Sequence, residues 1–152
     1  ISLSKTVLDA FTLIYNGSYP FISRSDSSGT HSAEMKIWRE LNLNPEEHSG
    51  KWYLESGQGM GPSLNIAISL NAYILTDRST WLRFNNKSNH SILFENRYEL
   101  KNNYSMIFVN HDRCSNLSKN SAIDLFNWLA SDDAARLIKS YKINNENVFY
   151  ID

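Results

Sequence analysis

The chain has 152 residues, 41% of them apolar, with fifteen Lys and Arg against sixteen Asp and Glu. That length and apolar share suit one folded domain and argue against disorder, and the absence of a basic excess argues against a general nucleic-acid binder. No apolar run nears the roughly 20 residues of a membrane-spanning helix, and the single cysteine, Cys114, excludes an internal disulfide framework or a cysteine-rich zinc site.

In chain order, Val7, Leu8, Phe11, Ile14 and Tyr15 mark one face of a helix over 5–16, with Gly17 expected as its left-handed stop. Pro20-Phe21-Ile22-Ser23 reads as a short strand opened by proline. A polar run from Arg24 to Thr30 precedes a helix from about His31 to Leu41, with Met35, Trp38 and Leu41 inward. Pro45 and Gly50 bracket a loop, and Trp52-Tyr53-Leu54 reads as a strand. The turn Gly57-Gln58-Gly59-Met60-Gly61 leads into a helix carrying Leu64, Ile66, Ala67 and Leu70. Residues 72–76 suit a buried strand and 77–84 a short helix. The polar stretch 85–103 carries weak strand signals near Leu93 and Leu100, and 104–110 reads as a strand. Helices are expected from Ser118 to Ala130 and after Ser131, which caps a first turn holding Asp132 and Asp133. Strands alternating with helices make an α/β protein. Eighteen Asn and twenty-one Ser produce five Asn-x-Ser sequons, a composition effect more than a sign of glycosylation.

Two segments share a plan of strand, tight turn and helix. In Arg24-Ser25-Asp26-Ser27-Ser28-Gly29-Thr30, the Ser-Gly-Thr lies at a helix start, where unpaired N–H groups and the positive dipole end favour an anion. Ser28 and Thr30 add hydroxyls, Gly29 allows close backbone approach, and Arg24 offers a planar fork of donors that Asp26 can orient. Each part alone also reads as an ordinary helix cap or surface ion pair; the combination is what points to a tetrahedral oxyanion. The second segment, Gly57 to Leu64, is neither a dinucleotide fingerprint nor a Walker loop. Pro62 suits a first helical turn, and Ser63 can present a hydroxyl and an N–H.

These blocks, with Trp52-Tyr53, 72–78, Thr80, 104–110 and Phe126-x-Trp128-Leu129-x-Ser131, closely resemble in order and spacing the tungstate-binding proteins of ABC importers. The Arg-x-Asp-x-Ser-Gly-Thr block is also similar to that of phosphate-binding proteins of the same superfamily. The resemblance implies a periplasmic-binding-protein-like lobe with a mixed sheet flanked by helices, over 1–103. It implies a return strand and C-terminal helices over 104–152, packing toward a first lobe that is expected to lie upstream or on another chain. It further implies a solute-binding component, periplasmic or extracellular, that delivers tungstate, or next molybdate, to a membrane permease without performing chemistry. The anion donors it implies are Arg24, Ser28, Gly29, Thr30, Gly61 and Ser63, with Asp26 orienting Arg24; no catalytic residue, cofactor, metal or nucleic-acid partner is implied. Ser25 stands where the family usually has Gly, Ser63 where it often has Thr, and His111 where Pro normally follows Val-Asn. A half-cleft would bind its anion weakly, and an uncovered helix pair would favour dimerisation.

Two other classes are open to this sequence. One is an oxyanion sensor or interaction domain that reuses the lobe without transport. The other is a small hydrolase pairing Ser28 with His31, although His31 also reads as a surface residue of a first helical turn. The four histidines show no metal-ligand spacing. Asp77-Arg78, at a strand end, reads as an ion pair or a ligand contact, and Trp38 and Trp128 read as core.

Overall fold

A computed structural model describes residues 1–109 and 118–151. They fall into two compact units, Ile1–Asn102 and Asn103–Asp152. The first unit runs α1 (Val7–Gly17), β1 (Phe21–Ser23), α2 (Gly29–Glu40), a 3₁₀ turn (Pro45–His48), β2 (Tyr53–Glu55), α3 (Met60–Ser69), β3 (Tyr73–Ile74) and α4 (Arg78–Arg83). Its strands lie in the order β2-β1-β3 and are all parallel. The described residues thus hold both strand senses, but in separate sheets: the antiparallel pair belongs to the second unit.

β1 is the central strand and all three of its residues are buried, as expected where helices cover both faces. Side chains alternate across a sheet, so Phe21, Tyr53 and Tyr73 share one face while Ile22, Leu54 and Ile74 share the other. On the first face Phe21 and Tyr53 pack with Val7, Phe11 and Ile14 of α1 and Ile37 and Trp38 of α2. On the second, Ile22 packs with Ala67 of α3 and with Ala72. Trp38 is wholly buried, its ring edge-on to Phe11, Phe21 and Trp52 at 4.6–6.2 Å between centroids.

Several boundaries differ from expectation for local reasons. Thr6 and Asp9 form a reciprocal capping box on α1, while the left-handed stop is Ser18 and not Gly17. Gly17 is the last helical residue, and a Cβ there would fall 2.3 Å from the ring of the half-exposed Tyr19, which would have to move to admit a side chain. α2 starts at Gly29, ahead of His31, because Ser28 caps it. Met35 and Leu41 pack at the margin of the core, and Glu34 and Ile37 are buried with Trp38. The strand expected over 72–76 shortens to β3. Neither strand signal in 85–103 produces a strand; instead Phe94 and Leu100 pack on the core, and the Glu99 carboxylate accepts the Val7 N–H at 2.8 Å.

The second unit holds α5 (Lys119–Leu129), α6 (Asp132–Ser140), β4 (Lys142–Ile143) and β5 (Glu146–Asn147). Ser131 caps α6 through the Ala134 N–H. β4 and β5 form a hairpin whose two turn residues, Asn144 and Asn145, both have positive φ, 49° and 67°, a type I′ geometry for which Asn is suited. The strand expected over 104–110 does not form over 104–109, and Asn110 lies outside the described residues. A strand needs a ladder partner for its N–H and C=O groups, and this segment has none among the described residues. Trp128, expected in a core, is 47% exposed. Cys114 and His111 lie outside the described residues.

Candidate functional site

The turns after β1 and β2 share the carboxyl edge of the sheet because those strands are parallel neighbours. At such an edge, helices begin with their N–H groups directed outward. Ser56 ties the two turns together: its N–H donates to the Ser23 carbonyl at 2.9 Å and its hydroxyl reaches the Arg24 carbonyl at 3.4 Å.

In the first turn, Arg24 Nη2 donates to Asp26 Oδ2 at 2.5 Å, and the Arg24 side chain is only 16% exposed. Its Nε is buried without a hydrogen-bond partner among the described residues, an unmet donor of the kind that carries a free-energy cost until an acceptor arrives. Asp26 Oδ1 accepts the Ser28 N–H at 3.1 Å. Burial pushes the Asp26 carboxyl up, but hydrogen bonds from the Ser28 hydroxyl and N–H and from Arg24 outweigh it and hold the group below the usual carboxylate range. Asp26 is therefore an ionised acceptor already engaged by its own loop. Between them, Ser25 has φ 47°, a left-handed conformation that strains any residue with a Cβ.

Ser28 caps α2 by accepting the His31 N–H at 3.2 Å, which leaves the Gly29 and Thr30 N–H groups at the helix start without an intrahelical acceptor. The Asn102 side chain stands over Gly29, 2.9 Å from where a Cβ would be. In the second turn Gly57 has φ 61°, so glycine is needed there. Gly59 precedes α3, and the Met60 and Gly61 N–H groups open that helix; the space over Gly61 is clear.

Ser63 departs from expectation. It is fully buried, its N–H bonds the Gly59 carbonyl, and its hydroxyl donates to that same carbonyl at 2.9 Å and meets Ser56 Oγ at 2.8 Å. These bonds stabilise the start of α3 and leave Ser63 outside the set of open donors. Asp77 caps α4, taking the Thr80 N–H at 2.8 Å and the Ser79 and Thr80 hydroxyls, and Arg78 pairs with Glu95. Burial raises the Asp77 carboxyl, but those hydrogen bonds bring it below its ordinary value. His31 also differs from a plain surface residue, because its Nδ1 lies 3.2 Å from Ser23 Oγ. The Ser28 hydroxyl meets the His31 backbone N–H, while the His31 ring faces Ser23 Oγ.

Glu34, Ser23 and Ser56 are the structural members that motif reading missed. Glu34 was detectable as a carboxylate on the same helix face as Trp38 and Leu41. Among the described residues no group of three His, Cys, Asp or Glu is placed to hold a metal, and no helix is long and apolar enough to cross a membrane.

Residues 4–133 match the family described as the PBP superfamily domain. The chain is 38% identical to the tungstate-binding protein TupA of Campylobacter jejuni, across 97% of this chain and 56% of that protein. In structure it is similar to the tungstate ABC transporter of Geobacter sulfurreducens, with a TM-score of 0.80 and 34% identity over 93% of this chain and 59% of that one. It is also similar to TupA of Desulfovibrio alaskensis, with a TM-score of 0.74 and 32% identity over 94% and 58% of the two chains. The chain thus spans about half the length of the relatives it matches.

Proposed function

The chain belongs to the PBP superfamily, and we propose that it binds a fully deprotonated tetrahedral oxyanion, tungstate before molybdate, as the solute-binding component of an ABC importer. The observation that carries this reading is the buried, unpartnered Nε of Arg24, in a guanidinium held by Asp26 beside the opening N–H groups of two helices. Arg24, the Gly29 and Thr30 N–H groups, the Thr30 hydroxyl and the Gly61 N–H are its donors. Ser28 contributes by ordering the turn, and Ser63 by bracing α3.

The donor set favours dianions that carry no proton. A monoprotonated phosphate needs an acceptor as well as donors, and the carboxylate of this turn, Asp26, is engaged by Arg24 and Ser28. The names of the relatives support tungstate as the cargo of an ABC transporter; in that role the chain would act outside the cytoplasmic membrane, hand its anion to the transporter's permease and perform no chemistry. The apolar surface of the second unit supports its packing, as a return segment over 104–152, on a further lobe that adds donors from the other side.

Calorimetry with tungstate, molybdate, sulfate and phosphate, backed by NMR titration into the millimolar range, tests the proposal. Arg24→Ala is expected to weaken tungstate at least about tenfold, since a hydrogen bond to a charged group contributes about 1.5–3 kcal/mol. Binding of no oxyanion, or equal binding by the variant, refutes it. Phosphate binding equal to that of tungstate refutes the selectivity argument alone.

A further inference from the structure

Glu34 is an ionisable side chain in the core, 2% exposed, for which anion binding has no direct use. Its Oε1 accepts the Tyr53 hydroxyl at 2.8 Å and Trp38 Nε1 at 3.2 Å. Its Oε2 accepts the Ser23 hydroxyl at 2.9 Å. From the elements packed around it, the titratable groups facing it are Tyr53 on β2 and His31 on its own helix, the latter with Nδ1 at 3.8 Å. Burial raises the Glu34 carboxyl above its ordinary value despite the three donors. Packing alone does not explain a carboxylate here, because an apolar side chain of similar size would fill the space without that desolvation cost.

Its orienting effect does explain it. A serine hydroxyl has one proton, and Ser23 gives that proton to Glu34. The Ser23 oxygen then faces its other neighbours only as an acceptor, and these are the Ser25 N–H at 3.2 Å and His31 Nδ1 at 3.2 Å. Ser25 is the residue held at φ 47°, between Arg24 and Asp26. We propose that Glu34 is the positioning residue of the anion loop: acting through Ser23 Oγ, it holds the left-handed turn at Ser25 that presents Arg24. The consequence for binding rests on the function proposed above; the hydrogen-bond chain itself does not.

Glu34→Gln is the isosteric test. A glutamine that keeps its oxygen toward Tyr53 and Trp38 turns an N–H toward Ser23, which reverses the polarity of that bond and sets the amide in competition with the Ser25 N–H and His31 for the two lone pairs of Ser23. Amide hydrogen exchange, followed by NMR without ligand, reads this directly. Ser25 protection is expected to fall at least about tenfold in Glu34→Gln and in Ser23→Ala, while the Ser56 N–H, bonded to the Ser23 carbonyl, keeps its protection. Tungstate affinity is expected to fall at least about fivefold in Glu34→Gln and to return to within about threefold of the parent when Ser25→Gly is added, because glycine adopts positive φ without strain. A purely structural loss in the core would not be repaired by that glycine. Unchanged Ser25 exchange in both single variants overturns the proposal, as does an affinity defect that Ser25→Gly leaves in place. If the parent binds no oxyanion, the proposed function fails, and the exchange data still decide the positioning role.

Discussion

Residues 1–102 and 103–152 use similar raw materials to different ends. Both contain helices with an apolar face and both carry a tryptophan on such a face. In the first unit Trp38 is wholly buried in a cluster with Phe11, Phe21 and Trp52, and α1, α2 and α3 each bury several residues. In the second, α5 buries none, and Ile123, Leu125 and Trp128 are exposed. What differs is the neighbour. The first unit supplies a sheet buried on both faces, whereas the described strands of the second make one two-stranded ribbon, which is marginal as a foundation by itself. An apolar stripe says which way a helix will face, and a sheet has to be present for that face to be covered.

The sharpest way to break the comparison is to truncate the two tryptophans. Trp38→Ala is expected to cost about 3–5 kcal/mol in chemical denaturation, the usual loss for a large buried aromatic, and Trp128→Ala to stay within about 0.5 kcal/mol as an exposed substitution. Equal losses would show that the helices of the second unit have a core of their own.

A pH series gives the next largest effect, and the sign is opposite for the buried and capping carboxylates. The Glu34 carboxyl is raised by burial, so the folded state holds a proton that the unfolded chain releases. Stability should therefore fall as pH rises from the ordinary glutamate value through the raised one, by at most about 1.4 kcal/mol per pH unit for one proton. Glu34→Gln should flatten that limb of the melting curve. Asp26 and Asp77 are lowered by their hydrogen bonds, so their contribution is present above the ordinary aspartate value and is lost as pH falls through the lowered one. A Glu34→Gln protein whose stability keeps the parental slope above the ordinary glutamate value would contradict the assignment.

Helix caps provide the smallest contrast. Thr6→Ala removes a reciprocal cap from a helix that anchors the first core and should cost about 1 kcal/mol. Ser131→Ala removes the cap of α6, and thermal melts should show a smaller loss, about 0.5 kcal/mol at the low end for such caps. A larger effect at Ser131 would reverse the ranking of the two units.

Much of the first unit was legible because its signals are local. Ser28 and Asp77 begin helices as residues of their type do, as Ser131 does in the second unit, and β1 and β2 follow short runs of bulky side chains. The Arg24-to-Thr30 block was legible for the same reason: cap, glycine and guanidinium lie within seven residues. The strand expected over 104–110 does not form over 104–109, because β propensity describes a side chain that fits a pleated surface and says nothing of whether a neighbouring strand exists. The Asn144-Asn145 turn has a local signal too, two consecutive residues that tolerate positive φ.

The amino-acid sequence by itself determined the helices, the Ser131 cap, the two anion-type turns and the resemblance that ordered them, because each rests on residues a few positions apart. Only the tertiary structure decided which serines remain donors, where Arg78 finds its carboxylate, and that Glu34 lies beneath the loop. Those outcomes depend on hydroxyl protons and lone pairs shared across the sheet edge, from Tyr53 through Glu34 and Ser23 to Ser25. A serine's single proton can go to one acceptor at a time, and which one it takes is fixed by the neighbours that folding brings within about 3 Å.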